Sequence, residues 1–183
     1  MKHPRLQLNK RAFWCGVAVL VLLRCGLTSF QQAYTWVGGA PLDEDVYKRQ
    51  AFFMQAGNLA ARYGVRLAIE ANPPMYTNYL NGTAEAFSLV KRLNNPGLAV
   101  NLDLSTMLAQ GEKLQNFVDD LKYVSHVHIS EPGLAPIQKR PEHKELALLL
   151  GAVGYRGFVS VEMARTDLDT VKRTLDYVAE VFQ

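Results

Sequence analysis

Four short apolar runs in this sequence each end on, or close to, a side chain of the kind that binds metal ions. In chain order these side chains are Glu70, Asp103, His128 and Glu162. Three carboxylates and one imidazole form an oxygen-rich set with a single nitrogen donor, which suits Mn²⁺, Mg²⁺, Co²⁺ or Zn²⁺ better than a metal that prefers thiolates. Any one such residue is more often a helix cap or a solvated loop residue, but four at matching places favour a metal site.

The run that contains the histidine, Val124–Pro132, alternates apolar and polar residues as a β-strand with two different faces does. Period-two alternation places His126, His128 and Ser130 on one face. Two imidazoles and a hydroxyl form a poor packing surface. The pattern therefore indicates the wall of a polar site.

The stretches between these runs predict how residues far apart in the chain come together. Each run is followed by a loop and an amphipathic stretch, and this β-α alternation favours parallel strands joined by helices. In a β/α barrel the carboxyl ends of the strands carry the chemistry, so we expect the four ligand-type residues to converge there. The predicted helices are 51–63, 83–93, 111–121, 141–150 and 167–182, and an earlier strand is predicted at Tyr34–Pro41.

Four phrases of the sequence also carry a resemblance to a known family. The phrases LAIEANPP, NLDLSTM, HVHISEP and GYRGFVSVEM resemble the xylose isomerase-like superfamily of sugar phosphate isomerases and epimerases, a TIM-barrel group. The resemblance implies an α/β fold, a partial TIM barrel that holds about the last five β/α units. It also implies that one divalent metal ion, Mn²⁺ first among the four candidates, binds to Glu70, Asp103, His128 and Glu162, and that the two glutamates exchange protons with a sugar.

Four further polar residues near these positions are predicted to contact the substrate: Asn72, Thr106, His126 and Glu131. Asn72 is expected on the strand face of Glu70. Thr106 is alternatively a helix cap, and Glu131 is alternatively an exposed loop residue. Many epimerases of the family have a histidine at the position of Thr106, so the substrate contacts of this chain are expected to differ. His143 is interpreted as a surface or loop-anchoring residue.

The composition argues against several classes of protein. The 183 residues are 49% hydrophobic and 20% charged, with a formal net charge of +3 and four histidines. So small a charge gives no basis for binding nucleic acid or a membrane surface. A DNA-repair endonuclease would need more histidines for its zinc ions and a basic stripe for phosphates. Both cysteines, Cys15 and Cys25, precede the barrel sequence, which is therefore compatible with the cytoplasm.

The first 50 residues differ in character from the rest. Residues 1–33 place basic residues before the apolar run Ala12–Leu23, an order typical of a secretory signal, and we interpret them as a non-family or signal-like segment before a partial barrel at 34–183. A strand and helix of the barrel are the alternative. Residues 45–50 resemble a translated transposase end sequence from DNA library preparation, with a polar surface loop as the alternative. Since a complete barrel takes about 250 residues, we expect an N-terminally truncated or chimeric fragment.

Two metal-bound glutamates on opposite walls suit a reaction that removes a proton beside a carbonyl group and returns one. The sequence therefore predicts a metal-dependent sugar or sugar phosphate isomerase or epimerase, whose partner is a small carbohydrate. A polyol dehydratase on the same scaffold and an inactive barrel fragment are the alternatives. Whether the chain forms a homo-oligomer stays open.

Overall fold

The computed structural model describes the backbone of residues 42–183, and the side chains from residue 46 on. The predicted strand Tyr34–Pro41, both cysteines and the 1–33 segment lie outside the described residues. The chain divides into two units after Phe52, and the sheet and the site lie within the second unit, residues 53–183. Within the described part of the chain, no helix is both long and apolar enough to cross a membrane.

Strands and helices alternate along the described chain. The strands are β1 (Leu67–Glu70), β2 (Leu98–Asp103), β3 (Val124–Ser130) and β4 (Phe158–Glu162). The α-helices are α1 (Leu42–Arg62), α2 (Thr83–Leu93), α3 (Leu104–Gln110), α4 (Pro141–Ala152) and α5 (Leu168–Val181), and two 3₁₀ helices cover Leu114–Tyr123 and Pro132–Leu134.

The four strands form one parallel sheet in the order β1-β2-β3-β4. Consecutive parallel neighbours joined by helical crossovers are the repeating unit of a β/α barrel. The α/β fold class and the partial barrel predicted from the sequence are confirmed.

The centre of the sheet is the most deeply buried part. Every residue of β2 is buried, which is expected for a parallel strand covered on both faces. Around β2 and β3, apolar side chains of α2, α3, the longer 3₁₀ helix and α4 form the core, including Phe87, Leu102, Met107, Leu121, Ile129 and Leu146.

A register shift in the sheet brings the polar faces of β2 and β3 together. Val100 is level with Val124, but Asn101 is level with His126, so β3 contains one extra residue at this point. Without the shift, Asp103 would be level with an apolar residue of β3, because a one-residue slip exchanges the faces of a strand. With it, Asp103 is level with His128.

Carboxylates begin three of the helices. Asp103 caps α3 by accepting a hydrogen bond from the backbone N–H of Thr106, and Asp167 caps α5 in the same way. The N-terminus of α2 is capped from a distance, since the Glu112 carboxylate accepts hydrogen bonds from the N–H groups of Thr83 and Ala84. These contacts satisfy donors that have no partner within the helix.

A close backbone approach joins α1 to the start of β2. A Cβ atom added at Gly97 would lie 1.9 Å from the carbonyl oxygen of Gly57, so only glycine fits at this position. The neighbouring Asn95 stabilises the same contact, because its side-chain oxygen accepts from Gly97 N–H and its amide donates to Asn58.

Three local predictions differ from the structure. The first helix begins at Leu42, not at residue 51, so residues 45–50 lie in α1 and the alternative of a polar surface loop is wrong. The α-helix predicted over 111–121 is instead the 3₁₀ helix Leu114–Tyr123. A short α-helix that the sequence did not predict, α3, precedes it, because Asp103 caps a helix directly after its strand. His143 is fully buried and contacts the Tyr177 hydroxyl at 2.9 Å, so it is not a surface residue.

Candidate metal centre

The four predicted ligand residues converge at the carboxyl ends of the four strands. Glu70, Asp103, His128 and Glu162 each offer one ligand atom, and all these atoms lie within 4.8 Å of one another. Glu70 and Glu162 come from the first and fourth strands, which a flat sheet would hold roughly 14 Å apart at about 4.8 Å per strand. Since both glutamates reach His128, the sheet curves around the cluster as the wall of a barrel does.

The His128 imidazole lies at the centre of the cluster. Its Nδ1 atom is 2.9 Å from Glu70 Oε1, 3.2 Å from Glu162 Oε2 and 3.9 Å from Asp103 Oδ2. The hydrogen bond with Glu70 raises the pKa of His128, and this effect exceeds the opposing effect of burial. One ring nitrogen therefore faces three carboxylates.

Asp103 is the most buried and most firmly held member of the cluster. Its side chain is 6% exposed. Oδ1 accepts hydrogen bonds from the Ser105 hydroxyl and from Thr106 N–H, both at 2.7 Å. Oδ2 accepts one from the Ser130 hydroxyl at 2.8 Å. Donors on fixed backbone elements thus orient this carboxylate before any ligand arrives.

The two glutamates are more accessible than Asp103. The side chain of Glu70 is 29% exposed and that of Glu162 is 46% exposed. Burial raises the pKa of Glu162, although the nearby His128 acts against this shift. Two reachable carboxylates beside one imidazole nitrogen are suited to proton exchange with a bound molecule.

A second polar layer, formed by Asn101 and His126, contacts the His128 ring. The His126 ring lies 5.0 Å from the His128 ring at an interplanar angle of 88°. Burial lowers the pKa of His126, and the nearby His128 lowers it further. Asn101 Nδ2 lies 3.3 Å and 3.5 Å from the two nitrogens of His128. The sequence prediction included His126 and missed Asn101, although Asn101 precedes Asp103 by two residues and so shares its strand face.

The other predicted substrate residues have different positions. Asn72 is exposed and lies beyond the end of β1, where its backbone N–H donates to Leu80 O. Thr106 is buried, and its hydroxyl donates to Ala71 O at 3.0 Å, which is a structural contact. Its contact with a substrate stays a prediction.

Glu131 is not the exposed loop residue of the alternative interpretation. It is 2% exposed, and its carboxylate accepts three hydrogen bonds from Arg140 and one from Gln138 N–H. Burial raises the pKa of Glu131, but these hydrogen bonds and the Arg140 charge outweigh it, so the net shift is downward. The Glu131 carboxylate therefore directs most of its hydrogen-bonding capacity to Arg140 and Gln138 of the same loop.

The donor set fits a divalent cation. Three carboxylates held this close repel one another, and His128 supplies at most one compensating positive charge. Asp103 Oδ2 has a single protein donor and keeps capacity for a further ligand. One nitrogen and several carboxylate oxygens, already oriented by outer hydrogen bonds, are the ligand types that borderline and hard divalent metals use.

A surface groove of about 520 Å³ lies apart from this cluster. It is lined by residues of α2 and the longer 3₁₀ helix, among them Lys91 and Asp120, which already form an ion pair at 2.9 Å. None of the four cluster residues lines it. This groove is therefore separate from the candidate site, which the converging side chains locate.

Several solved structures have similar folds. They include 3-keto-D-glucoside 4-epimerase from E. coli (20% identity, TM-score 0.68, covering 79% of this chain and 57% of that chain). D-psicose 3-epimerase from Clostridium cellulolyticum H10, crystallised with D-tagatose, is 18% identical, with a TM-score of 0.68 and coverage of 81% and 60%. IolI protein with a bound zinc atom is 21% identical, with a TM-score of 0.61 and coverage of 80% and 61%. This chain thus spans about three fifths of each.

No curated protein matches the chain significantly. A family model described as xylose isomerase-like TIM barrel matches residues 11–181. The match begins inside the 1–33 segment, whose foreign origin stays a prediction. Because it extends over nearly the whole sequence, this chain belongs to the xylose isomerase-like TIM barrel family.

Proposed function

We propose that this chain carries the site of a metal-dependent sugar isomerase or epimerase, with Glu70 and Glu162 as the proton-transfer pair. The observation that carries the proposal is the convergence of four ligand atoms within 4.8 Å at the carboxyl ends of four consecutive parallel strands. Catalytic residues of β/α barrels lie at this end of the strands.

The residues that would hold the metal ion are Glu70, Asp103, His128 and Glu162, with Mn²⁺ as the first candidate and Mg²⁺, Co²⁺ or Zn²⁺ as the others. When bound, such an ion acts as a Lewis acid that polarises a carbonyl oxygen and stabilises negative charge. The outer hydrogen bonds of Asp103 from Ser130 and Thr106 keep one ligand fixed.

The two glutamates perform the proposed proton transfers. Glu70 on β1 and Glu162 on β4 approach His128 from the two outer strands of the described sheet. A sugar carbon held between them loses its proton to one carboxylate and receives a proton from the other. Removal from one face and return to the opposite face inverts the carbon, which is an epimerisation.

The similar solved structures support a carbohydrate substrate and a divalent metal. Two of them are named as epimerases of sugars, and one of these was crystallised with D-tagatose. A third contains a zinc atom. The sugar that this chain would use is a small molecule with a carbonyl group beside a carbon that bears hydrogen and hydroxyl.

A calorimetric titration with Mn²⁺ tests the metal site. We expect the 183-residue chain to bind one ion and His128→Ala to weaken binding at least about tenfold, since the variant loses the one nitrogen donor among the four converging ligand atoms. Glu180→Gln, an exposed carboxylate of α5, is the control and should bind as the unchanged chain does. If His128→Ala binds Mn²⁺ as tightly as the unchanged chain does, His128 is not a ligand of the ion.

Incubation with Mn²⁺ and a panel of ketoses, keto-acids and inosose-type polyols in D₂O tests the reaction. An isomerase or epimerase incorporates deuterium at the reacting carbon and gives a product of the same elemental composition. A dehydratase gives a product that has lost water, which mass spectrometry detects. No deuterium incorporation into any ketose would contradict the proposed proton transfer.

A further inference from the structure

The loop after β3, residues 131–140, is closed by an ion pair between a buried carboxylate and a partly exposed guanidinium. Glu131 follows β3 directly and is 2% exposed, whereas the side chain of Arg140, at the other end of the loop, is 34% exposed. Arg140 Nε donates to both Glu131 oxygens at 2.8 Å and 3.0 Å, and a second guanidinium nitrogen donates at 2.6 Å. This fork geometry fixes direction as well as distance.

Inside this loop the chain makes a tight turn with an unusual backbone. Gly133 and Leu134 both have positive φ angles, 70° and 56°. The Cβ atom of leucine disfavours this conformation, so the surrounding contacts must maintain it. Leu134 N–H donates to Glu131 O at 2.9 Å, which ties the turn to the residue that Arg140 holds.

The turn is also joined to the loop after β4. Ala164 N–H donates to Leu134 O at 2.8 Å. Ala164 follows Glu162 by two residues, so this hydrogen bond restrains the backbone next to a cluster ligand. The path from Arg140 to Glu162 therefore consists of consecutive contacts: Arg140 with Glu131, Glu131 with Leu134, and Leu134 with Ala164.

Glu162 is the cluster member that most needs such a restraint. At 46% it is the most exposed of the four side chains. Among the described strands, β4 pairs only with β3, and both end residues of β4 are exposed. Asp103, in contrast, lies in a fully buried central strand.

We propose that Glu131 and Arg140 are positioning residues that hold Glu162 in place through Leu134 and Ala164. The inference rests on the proposed function for its effect on metal binding, but the backbone restraint itself does not depend on a metal ion. It also gives Glu131 a role other than the predicted contact with substrate.

Glu131→Gln is the sharper probe of this proposal. It removes the charge and one strong acceptor while keeping the shape of the side chain. Arg140 is one-third exposed, so water can compensate for its lost partner. Removing Arg140 instead leaves a buried carboxylate unpaired, which is costly enough to endanger folding. Lys91→Gln is the matched control, because it removes the Lys91–Asp120 ion pair in the groove outside the cluster.

Amide hydrogen exchange of the metal-free full chain, followed by NMR, tests the restraint. In Glu131→Gln we expect the Ala164 amide to exchange at least about tenfold faster than in the unchanged chain, while the Thr106 amide on Asp103 keeps its rate. Lys91→Gln should leave both rates unchanged. An unaltered Ala164 rate in Glu131→Gln overturns the proposal, whatever the chain does with metal ions.

Mn²⁺ titration tests the consequence for the site. Glu131→Gln should raise the dissociation constant about tenfold, within the range typical for loss of an outer contact. In a Glu162→Gln background the same change should raise it less than about twofold, because the ligand that the pair positions is already altered. An equal penalty in both backgrounds overturns the assignment of Glu162 as the residue positioned.

Two outcomes separate this inference from the proposed function. If the unchanged chain binds no Mn²⁺, the proposed metal site is wrong. The Ala164 exchange rate alone then decides whether Glu131 and Arg140 restrain the backbone next to Glu162. If it binds Mn²⁺ and Glu131→Gln binds equally well, the inference fails and the metal site stands. Arg140→Lys, which keeps the charge without the fork, is the second variant and should show an Ala164 rate between those of Glu131→Gln and the unchanged chain.

Discussion

The Nδ1 atom of His128 lies 2.9 Å from Oε1 of Glu70, although the two residues are 58 positions apart in the chain. Two sheet contacts, β1 with β2 and β2 with β3, bring them together. In the metal-free protein this hydrogen bond favours the protonated imidazole and raises the pKa of His128. A metal ion bound through this nitrogen would need it unprotonated, so protons and the proposed ion would compete for one atom.

Stability and metal affinity should therefore respond to pH in opposite directions. A raised pKa stabilises the metal-free fold below the ordinary value of 6.5, and this contribution is lost as pH rises through the raised pKa. Over the same window Mn²⁺ affinity should increase, by up to about tenfold per pH unit for one displaced proton. Thermal unfolding with and without Mn²⁺ measures both. His128→Gln should weaken the pH dependence of both the stability and the Mn²⁺ affinity. If either pH dependence persists in this variant, His128 is not the group that causes it.

Glu70→Gln and Glu162→Gln should each abolish turnover but differ in isotope exchange. The glutamine keeps the size and one oxygen but cannot accept the proton. The variant that lacks the base should show no exchange of the sugar hydrogen with D₂O, whereas its partner should still exchange deuterium into the starting sugar without product. NMR of the recovered sugar distinguishes the two. Full activity in both variants would rule out this pair.

Ser130→Ala should weaken the site through Asp103. The Ser130 side chain is fully buried, donates to Asp103 Oδ2 at 2.8 Å and accepts from Ser105 N–H at 3.1 Å. We expect a loss of about 1–3 kcal/mol in the free energy of unfolding and a 10–100-fold loss of Mn²⁺ affinity, roughly the range for outer contacts of a metal site. Urea unfolding and calorimetry measure these. Ser88→Ala, an exposed serine of α2, should change neither.

Gly97→Ala should destabilise the second unit. The added Cβ would lie 1.9 Å from Gly57 O, so α1 or the start of β2 must shift. Overpacking of this kind costs about 1–3 kcal/mol, and a backbone contact gives more resistance than a side chain does. Gly151→Ala is the control in α4, where no atom lies within 4 Å, and should stabilise by about 0.5–1 kcal/mol. A Gly97→Ala variant as stable as the unchanged chain would show that Gly97 and Gly57 lie farther apart than this structure has them.

The sequence pattern predicted the parallel strands and the convergence of four ligand residues closely. The apolar runs that end on Asp103 and Glu162 are the strands β2 and β4. This success has a physical reason, since an apolar run that ends on a carboxylate is a local property, and parallel pairing places all such ends on one side. The predicted roles of Glu70 and Glu162 in catalysis stay predictions.

The parts that were missed depend on contacts that no local pattern contains. Glu131 and Arg140 are both charged residues of a loop, and only the fold of that loop shows that they pair and that Glu131 is buried. His143 is polar yet fully buried, and only the fold shows that its Nδ1 atom meets the Tyr177 hydroxyl of another helix. The register shift between Val100 and Asn101 is equally invisible in the sequence.

The two oxygens of Asp103 serve different parts of the molecule. Oδ1 begins α3 through Thr106 N–H, while Oδ2 faces His128 and Ser130. One carboxylate would thereby couple the first turn of a helix to the occupancy of the proposed site. Fraying of that turn would lower the affinity for the ion, and a bound ion would lower the free energy of the intact turn by the same amount. Helix initiation and ion loading would then be reciprocal parts of one thermodynamic cycle.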